Sequence, residues 1–416
     1  MDSFVSMGRR GFLLKAAAFA AAAPLARAQR AVPPSGTVTM GVVGYGGRGR
    51  QMMPIFMHQQ GVRVLAVCDA MKDRREQMKK DVDAFCNNSD CTAYRDFREM
   101  FARQDIDALY IATGDRWHAQ LAIQAMQSGK DVYCEKPISL SIREGAAVLA
   151  TARRYQRIYQ GGVQRRTVGN FITAMNLAKS GRLGRLHTLH AGMVNMGHSS
   201  KNSFLPDEAL PDPGAVDWDM WLGPAPWRPF NAKYLSGGWH AQYDFHGDLT
   251  EWGSHTVDLC QYMLGRTRGI PTAYEKTGPK RLEAAFDDGV KIVFREEGFK
   301  SSCAVRFEGD EGWVETDDSG DVAVSAPNLL EGRKIQAERW ERPVAHPAEF
   351  LASVRSRRIP TAPAEDIHFP HVTCHAATVA FHLGRKLTFD PATLTFTGDA
   401  EASRRLLRPH RLPWVV

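Results

Sequence analysis

The sequence predicts an α/β protein of two domains: an N-terminal doubly wound parallel sheet, then an α+β unit on a mostly antiparallel open sheet. Three observations predict it. Residues 37–161 alternate short apolar runs with amphipathic ones. A glycine-rich turn, Gly44-Tyr45-Gly46-Gly47-Arg48-Gly49, joins the first apolar run to the first amphipathic one. After Gly161 the pattern changes to short runs of period two. At 416 residues, with 44% hydrophobic and 24% charged, the chain is long enough for two ordinary cores.

In the first domain, strands are expected at 37–44, 62–68, 92–95, 107–112, 130–134 and 157–161, with helices at 48–59, 72–85, 96–103, 117–128 and 141–155. Strands separated by helices argue for parallel βαβ units. Six such strands suit the doubly wound dinucleotide fold, whose ligand lies at the C-terminal ends of the strands. The second domain, 162–416, opens with a helix at 167–180. Strand-like runs follow at 185–194, 269–276, 281–286, 289–296, 301–308 and 312–316, and helices at 347–357 and 371–383 close it. Asp287-Asp288-Gly289 marks a hairpin. The long irregular stretch 197–247 is rich in Pro, Gly and Trp, and its aromatics argue against disorder.

The glycine turn sits between the apolar strand Val38–Val43 and a helical run, the context in which G-x-G-x-x-G binds a pyrophosphate. The first glycine permits the tight turn, the second lets backbone approach phosphate, and the third lets helix and strand pack. The helix N-terminus offers free N–H groups and a positive dipole end. Asp69, ending the second strand, is placed to bond the adenosine ribose hydroxyls. Its charge favours NAD over NADP, although Arg48, Arg74 and Arg75 leave NADP open.

The N-terminus reads as a signal peptide over residues 1–28, with Arg9-Arg10, an apolar run to Leu25 and the small-residue stop Ala26-Arg27-Ala28. A flexible leader, 29–36, follows. That pattern implies passage through the twin-arginine export machinery, a periplasmic location and no stable membrane span after processing. Of the net charge of +7, +3 falls in residues 1–28, so the mature chain is near +4. Its cations are dispersed, so nothing points to nucleic acid. The seven cysteines show no C-x-x-C and no metal-ligand spacing, so no metal is expected. Cys68, Cys134 and Cys260 lie in apolar stretches, whereas Cys86 and Cys91 could pair across a short loop.

Two segments hold chemistry. Glu135-Lys136-Pro137 directly follows the fifth strand, placing Lys136 beside the nicotinamide half of a bound dinucleotide. An ammonium there can bond a substrate hydroxyl and stabilise the developing alkoxide. In Gly247–Asp258, Glu251 and His255 stand four residues apart and share one helical face. A histidine near its ordinary pKa suits proton removal from an alcohol, with a carboxylate one turn away to orient it. Gly253 between them allows a close approach. Hydride transfer needs little beyond placement and a base facing the hydroxyl. Gln164, Arg165, Arg166, Trp239, Tyr243 and Trp252 together fit a polyol site.

These residues resemble the Gfo/Idh/MocA family of oxidoreductases, over essentially the whole mature chain. Val42–Gly49 is similar to its nucleotide turn, Ile111–His118 to its fourth-strand loop, Glu135-Lys136-Pro137 to its signature tripeptide and Glu251–His255 to its D-x-G-x-H helix. The resemblance implies a Rossmann domain in which Gly44–Gly49, Asp69, Thr113, Trp117, His118, Glu135, Lys136 and Gln164 hold NAD. It implies His255 as general base and Lys136 as its electrostatic partner, with Glu251 completing the catalytic set; by residue type, Arg165, Tyr243, Trp252 and His255 are the expected contacts to a carbohydrate or cyclitol. Glu251 stands where the family has Asp. Some relatives, glycosidase family 109, cleave glycosides by transient oxidation, elimination and re-reduction. They share the twin-arginine signal and the Trp-His pair, but the segment Gly161–Arg166 departs from theirs. The expected activity is a sugar or polyol dehydrogenase with a tightly bound cofactor. The glycosidase and a non-catalytic sugar-binding protein are the alternatives, and the open sheet is a natural surface for a homo-oligomer.

Overall fold

Six strands of the N-terminal half lie side by side in one parallel sheet, as their separation by helices requires. In the computed structural model, which describes residues 36–201, 204–332 and 340–414, this half runs β1 (Val38–Val43), α1 (Gly47–Met57), β2 (Val62–Cys68), α2 (Lys72–Cys86), β3 (Thr92–Tyr94), α3 (Phe97–Ala102), β4 (Ala108–Ile111), α4 (His118–Gln127), β5 (Asp131–Cys134), α5 (Ile142–Tyr155) and β6 (Tyr159–Gly161). The expected signal peptide and the leader up to residue 35 lie outside the described residues. The strand order β3-β2-β1-β4-β5-β6 is doubly wound. Its reversal between β1 and β4 opens a crevice at the strands' C-terminal ends. Helices cover both faces, so the central strands are largely apolar: Met40, Ala66, Leu109 and Val132 have no exposed surface.

The second half supplies α6 (Gly169–Lys179) and β7 (Leu186–Gly192), then a long excursion holding α7 (Trp218–Leu222) and α8 (Ala232–Leu235). It continues with α9 (Leu249–Met263), β8 (Ala273–Gly278), β9 (Arg281–Ala285), β10 (Lys291–Arg295), β11 (Val305–Gly309), β12 (Gly312–Thr316) and β13 (Val322–Val324). The chain closes with α10 (Ala345–Ser356), α11 (Ala364–Leu383), β14 (Leu387–Asp390), β15 (Thr395–Phe396) and α12 (Ala400–Arg404). The nine strands form one sheet in the order β13-β12-β11-β7-β10-β9-β8-β14-β15. Only β7 and β10 pair in parallel; the other neighbours are antiparallel. Period-two alternation sends Leu282, Ala284, Ile292, Phe294 and Phe307 into the core with α9 and α11. It leaves Arg281, Glu283 and Lys291 on the opposite face, where they form ion pairs of 3.0 Å.

The structure adds three strands that the sequence reading did not expect, β13, β14 and β15, and lengthens one helix. The helix expected at 371–383 begins at Ala364 and contains Pro370. A proline inside a helix argues for a break, but this helix is buried along nearly its whole length, and packing outweighs the lost hydrogen bond. The irregular stretch 197–247 is ordered, as its aromatics lead one to expect: Trp218, Trp221, Phe230, Tyr234 and Phe245 form a buried core of their own. All seven cysteines are free thiols, so Cys86 and Cys91 do not pair. Cys91 is buried, and burial with Asp83 nearby pushes its thiol up to about 12.

Candidate active site

The glycine turn has the division of labour its spacing implies. Gly44 has φ +92°, and a methyl group on it would lie 2.5 Å from the Ala112 carbonyl oxygen. A methyl on Gly49 would lie 2.4 Å from the Gly44 oxygen, so this residue sets the closeness of helix and strand. A methyl group on Gly46 or Gly47 would meet nothing within 4 Å beyond the chain neighbours. The space they leave belongs to a cavity of about 540 Å³ at the C-terminal ends of the parallel strands, lined by Gly44, Gly46, Gly47 and Arg48. No side chain caps the N-terminus of α1 and no acidic residue stands in its first turn, which suits an anion. Tyr45 lies outside the lining; its ring is buried and its hydroxyl donates to Asp81.

Asp69 lines the same cavity. Its carboxylate accepts the N–H of Tyr45 at 2.8 Å and of Met71 at 2.9 Å, one on each oxygen. Burial pushes its pKa up against those two bonds. Each oxygen keeps a lone pair for a further donor, such as a ribose hydroxyl. Arg74 and Arg95 line this end as well. These residues fit a nicotinamide dinucleotide: an open anion site at one end, a carboxylate aimed at hydroxyls at the other.

Thr113, Trp117, His118, Glu135 and Lys136 also line the cavity. Trp117 is a core residue as much as a wall, since its Nε1 donates to the Met220 carbonyl at 2.9 Å. His118 holds the loop after β5 through a 2.8 Å bond between Nδ1 and the Pro137 oxygen. Glu135 is buried, with the Arg48 guanidinium 3.3 Å away. Gln164 was expected to contact the cofactor. It is instead fully buried behind the wall, donating to Tyr133 at 2.9 Å and to Glu135 at 3.0 Å.

The Lys136 ammonium sits 2.7 Å from Glu251 Oε1, joining the first domain to the helix of the second. The other Glu251 oxygen takes a 2.7 Å bond from His246 Nε2. His246 Nδ1 accepts the Asp248 N–H at 3.1 Å, which fixes the tautomer with the proton on Nε2. Burial alone would push Glu251 up, but Lys136 and His246 hold it well below the usual carboxylate range. The carboxylate expected to orient His255 is therefore committed to Lys136 and His246 instead. Asp115, His246 and Glu251 bring three donor atoms within 4.8 Å of one another. Lys136 already supplies the positive charge beside Glu251.

His255 is buried, and its Nε2 accepts a hydrogen bond from Arg165 at 3.1 Å. Burial, then the charges of Arg165, Lys136 and Arg48, push its pKa well below that of a free histidine. It is thus a neutral imidazole, not one near its ordinary pKa. Arg165 itself is locked on Asp318 at 2.9 and 3.1 Å, away from the cavity wall.

Other expected sugar contacts have structural partners. Arg166 and Asp258 form a bidentate pair with no exposed side-chain surface. Tyr243 lies under the Arg408 guanidinium at 4.0 Å, and Trp252 packs on the second core. The close approach at Gly253 is that of Cys374 from α11, whose Sγ would be 2.6 Å from a methyl there. Trp239 does line the cavity, stacked on His240 with ring centres 3.8 Å apart. Sequence reading missed His246, Asp115 and Asp318. Asp115 lay within the quoted loop motif, but His246 stands five residues before Glu251, off any shared helical face, and Asp318 carries no local signal.

Residues 38–163 match the family model for an oxidoreductase family with an NAD-binding Rossmann fold, and residues 195–416 match that family's C-terminal alpha/beta domain. Among curated relatives, the alpha-N-acetylgalactosaminidase of Shewanella oneidensis is 34% identical over 132 residues, 30% of this chain and 28% of that protein. The 2,7-anhydro-N-acetylneuraminate hydratase of Mediterraneibacter gnavus is 25% identical over 242 residues, 58% of this chain and 52% of that protein. The chain thus spans about half, or less, of the curated relatives it matches. Among solved structures, the aldose-aldose oxidoreductase of Caulobacter crescentus has TM-score 0.59 at 17% identity, covering 85% of this chain and 100% of that one. The myo-inositol 2-dehydrogenase of Lactobacillus plantarum gives 0.59 at 16%, covering 85% and 100%. At such identities the structures speak to the fold alone.

Proposed function

The chain belongs to the Gfo/Idh/MocA oxidoreductase family, and from that premise we propose that it moves a hydride between a tightly held nicotinamide cofactor and a hydroxyl of a sugar or cyclitol. The observation that supports this most directly is the Lys136–Glu251 pair, 2.7 Å long, on the wall of the cavity that also holds the glycine turn. When bound, the nicotinamide accepts or returns the hydride. The chain's own residues do the rest. Gly46, Gly47 and the N-terminus of α1 hold the pyrophosphate, and Asp69 holds the ribose, which favours NAD. Lys136 donates to the reacting hydroxyl and stabilises the alkoxide. Glu251, clamped from the far side by His246, fixes where that ammonium points. Trp239 and His240 offer an aromatic wall for a sugar ring. His255 can act as base only where Arg165 leaves its Nε2, and otherwise serves as a neutral neighbour.

A second reading, redox-assisted glycoside cleavage, is favoured by the relative named alpha-N-acetylgalactosaminidase. Incubating the purified protein with a panel of sugars and aryl glycosides, without added NAD, separates the two. Reduction of the bound nucleotide by a free sugar supports the dehydrogenase. Catalytic aglycone release without net NADH would sink it in favour of the glycosidase. Export by the twin-arginine route to the periplasm is part of the same proposal, since a protein exported folded can take its nucleotide with it.

A further inference from the structure

The entry to α9 holds one residue in a backbone conformation that side chains avoid. Asp248 has φ +54° and ψ −114°. That lies outside the left-handed helical region, which Asn87 (φ 52°, ψ 44°) and Gln156 (φ 51°, ψ 41°) occupy at the ends of α2 and α5. Such a conformation persists only where the surroundings over-determine it, and residues held this way cluster at active sites. We propose that Asp248 is a positioning residue: its strained backbone aims an N–H at His246, and through His246 and Glu251 it sets the direction of the Lys136 ammonium. The inference rests on the reading of Lys136 as the group that bonds the reacting hydroxyl.

Aspartate is favoured just before a helix because its carboxylate usually accepts the N–H groups of the first turn. Here it does not: no side-chain bond caps α9. The carboxylate turns the other way and has no exposed surface. Oδ1 accepts the Gly197 N–H at 2.8 Å, and Oδ2 accepts bonds from Ser199 Oγ at 2.9 Å and His382 Nε2 at 2.7 Å. Gly197 and Ser199 follow β7, and His382 stands in the last turn of α11. Burial would raise the Asp248 pKa, but His382 and the bonds from Gly197 and Ser199 hold it below its usual value, so the carboxylate stays charged. The two residues before it are held as well. The Gly247 N–H donates to Asp115 at 3.1 Å, and the His246 carbonyl accepts Arg408 at 2.9 Å. Residues 246–248 are thus fixed from the loop after β4, from α11 and from the segment after α12.

The consequence travels through one imidazole. With the Asp248 N–H on Nδ1 at 3.1 Å, the proton of neutral His246 stays on Nε2 and points at Glu251, 2.7 Å away. If Asp248 relaxed to an ordinary negative φ, its N–H would leave that nitrogen and the proton would be free to move to Nδ1. Nε2 would then turn a lone pair on the Glu251 carboxylate, and two acceptors repel. Glu251 would lose one of the two partners that fix it, and Lys136 the fixed acceptor it meets at 2.7 Å. Asp248 does not line the cavity, so it acts through His246 and not by contact.

Asp248→Ala removes the carboxylate and lets the turn relax. In NMR spectra of protein labelled at the histidine ring nitrogens, with His246 assigned from a His246→Gln variant, the wild type should show the Nε2–H tautomer alone. Asp248→Ala should show a mixture of the two. In NAD-loaded protein, single-turnover reduction by an active sugar should fall at least ~10-fold in Asp248→Ala, with NAD affinity changed by less than about threefold. In a His246→Gln background the same substitution should cost less than about twofold, because the path it acts on is already cut. A merely structural role would cost the same in both backgrounds. Asp248→Gly takes φ +54° without strain and keeps the helix start even if Asp248→Ala does not fold; it should shift rate and tautomer the same way. An unchanged His246 tautomer, or equal losses in both backgrounds, would overturn the positioning role. A wild type whose bound NAD no sugar of the panel reduces counts instead against the hydride-transfer reading, and the histidine spectra still decide the role of Asp248.

Discussion

Lys136 Nζ and Glu251 Oε1 lie 2.7 Å apart, although 115 residues separate them in the chain. Lys136 follows the fifth strand of the Rossmann sheet, and Glu251 stands in the first turn of a helix from the other half. The face they form thus exists only when both halves are docked. His246 holds the second carboxylate oxygen, so Glu251 cannot rotate without losing two partners.

Replacing Glu251 by Gln keeps its shape and removes its charge. The Lys136 ammonium then loses its fixed direction, and turnover should fall about 10²-fold with NAD binding changed by less than about threefold. Single-turnover reduction of bound nucleotide by an active sugar measures the first quantity, and NAD titration the second. Normal turnover in Glu251→Gln would show that the pair only joins the domains.

His255→Ala should lose turnover and keep cofactor binding; unchanged turnover would remove His255 as the base. Its pKa is pushed down by burial and by Arg165, Lys136 and Arg48. The imidazole is therefore already neutral at mildly acidic pH, and the acid limb of kcat should lie below the value of about 6.5 for free histidine. A limb at 6.5 or above would contradict a buried, neutral His255 as the base.

Two glycines of the turn should fail differently. Gly44→Ala forces a side chain into φ +92° and onto the Ala112 carbonyl, so it should cost at least about 1–3 kcal/mol of stability. Gly46→Ala meets no protein atom within 4 Å, so the melt should move little. Its methyl would stand where a phosphate must come, weakening NAD binding at least ~10-fold. Thermal melts and NAD titration on the two variants check this. Undiminished binding in Gly46→Ala would displace the pyrophosphate from the turn.

Buried neutral histidines make the fold acid-sensitive. Burial lowers His346 and His371 to about 3 and His368 to about 4, and lowers His375 well below its ordinary value. The unfolded chain, with histidines near 6.5, binds more protons than the native one below that pH, so stability falls as pH drops. Each such histidine should cost about 2 kcal/mol by pH 5. Denaturant midpoints between pH 5 and 8 should show this slope, and His371→Gln should flatten it. A pH-independent midpoint would contradict the burial of these rings.

Much of the fold is legible because its signals are local. The strand-turn-helix around Gly44, the alternation up to Gly161 and the hairpin at Asp287–Gly289 are each written within about ten neighbouring residues, the range over which periodicity and turn chemistry act. The helix through Pro370 was not legible, because burial against distant elements overrides a local breaker. Gln164, Arg166, Tyr243 and Trp252 look like sugar contacts by type, but each is committed to a partner far away in sequence.

By itself, then, the sequence determined the doubly wound domain, the mostly antiparallel second sheet, and the placement of the glycine turn, Asp69 and Lys136 at strand ends. Tertiary structure alone decided the partners: Glu251 on Lys136 and His246 rather than on His255, Arg165 on His255 and Asp318, and Trp239 and His240 on the cavity wall. The reason is physical. A turn or a strand follows from the conformations of adjacent residues, whereas a buried charge takes whichever counter-charge the packing brings within about 3 Å, and that choice is made only when the two halves close on each other.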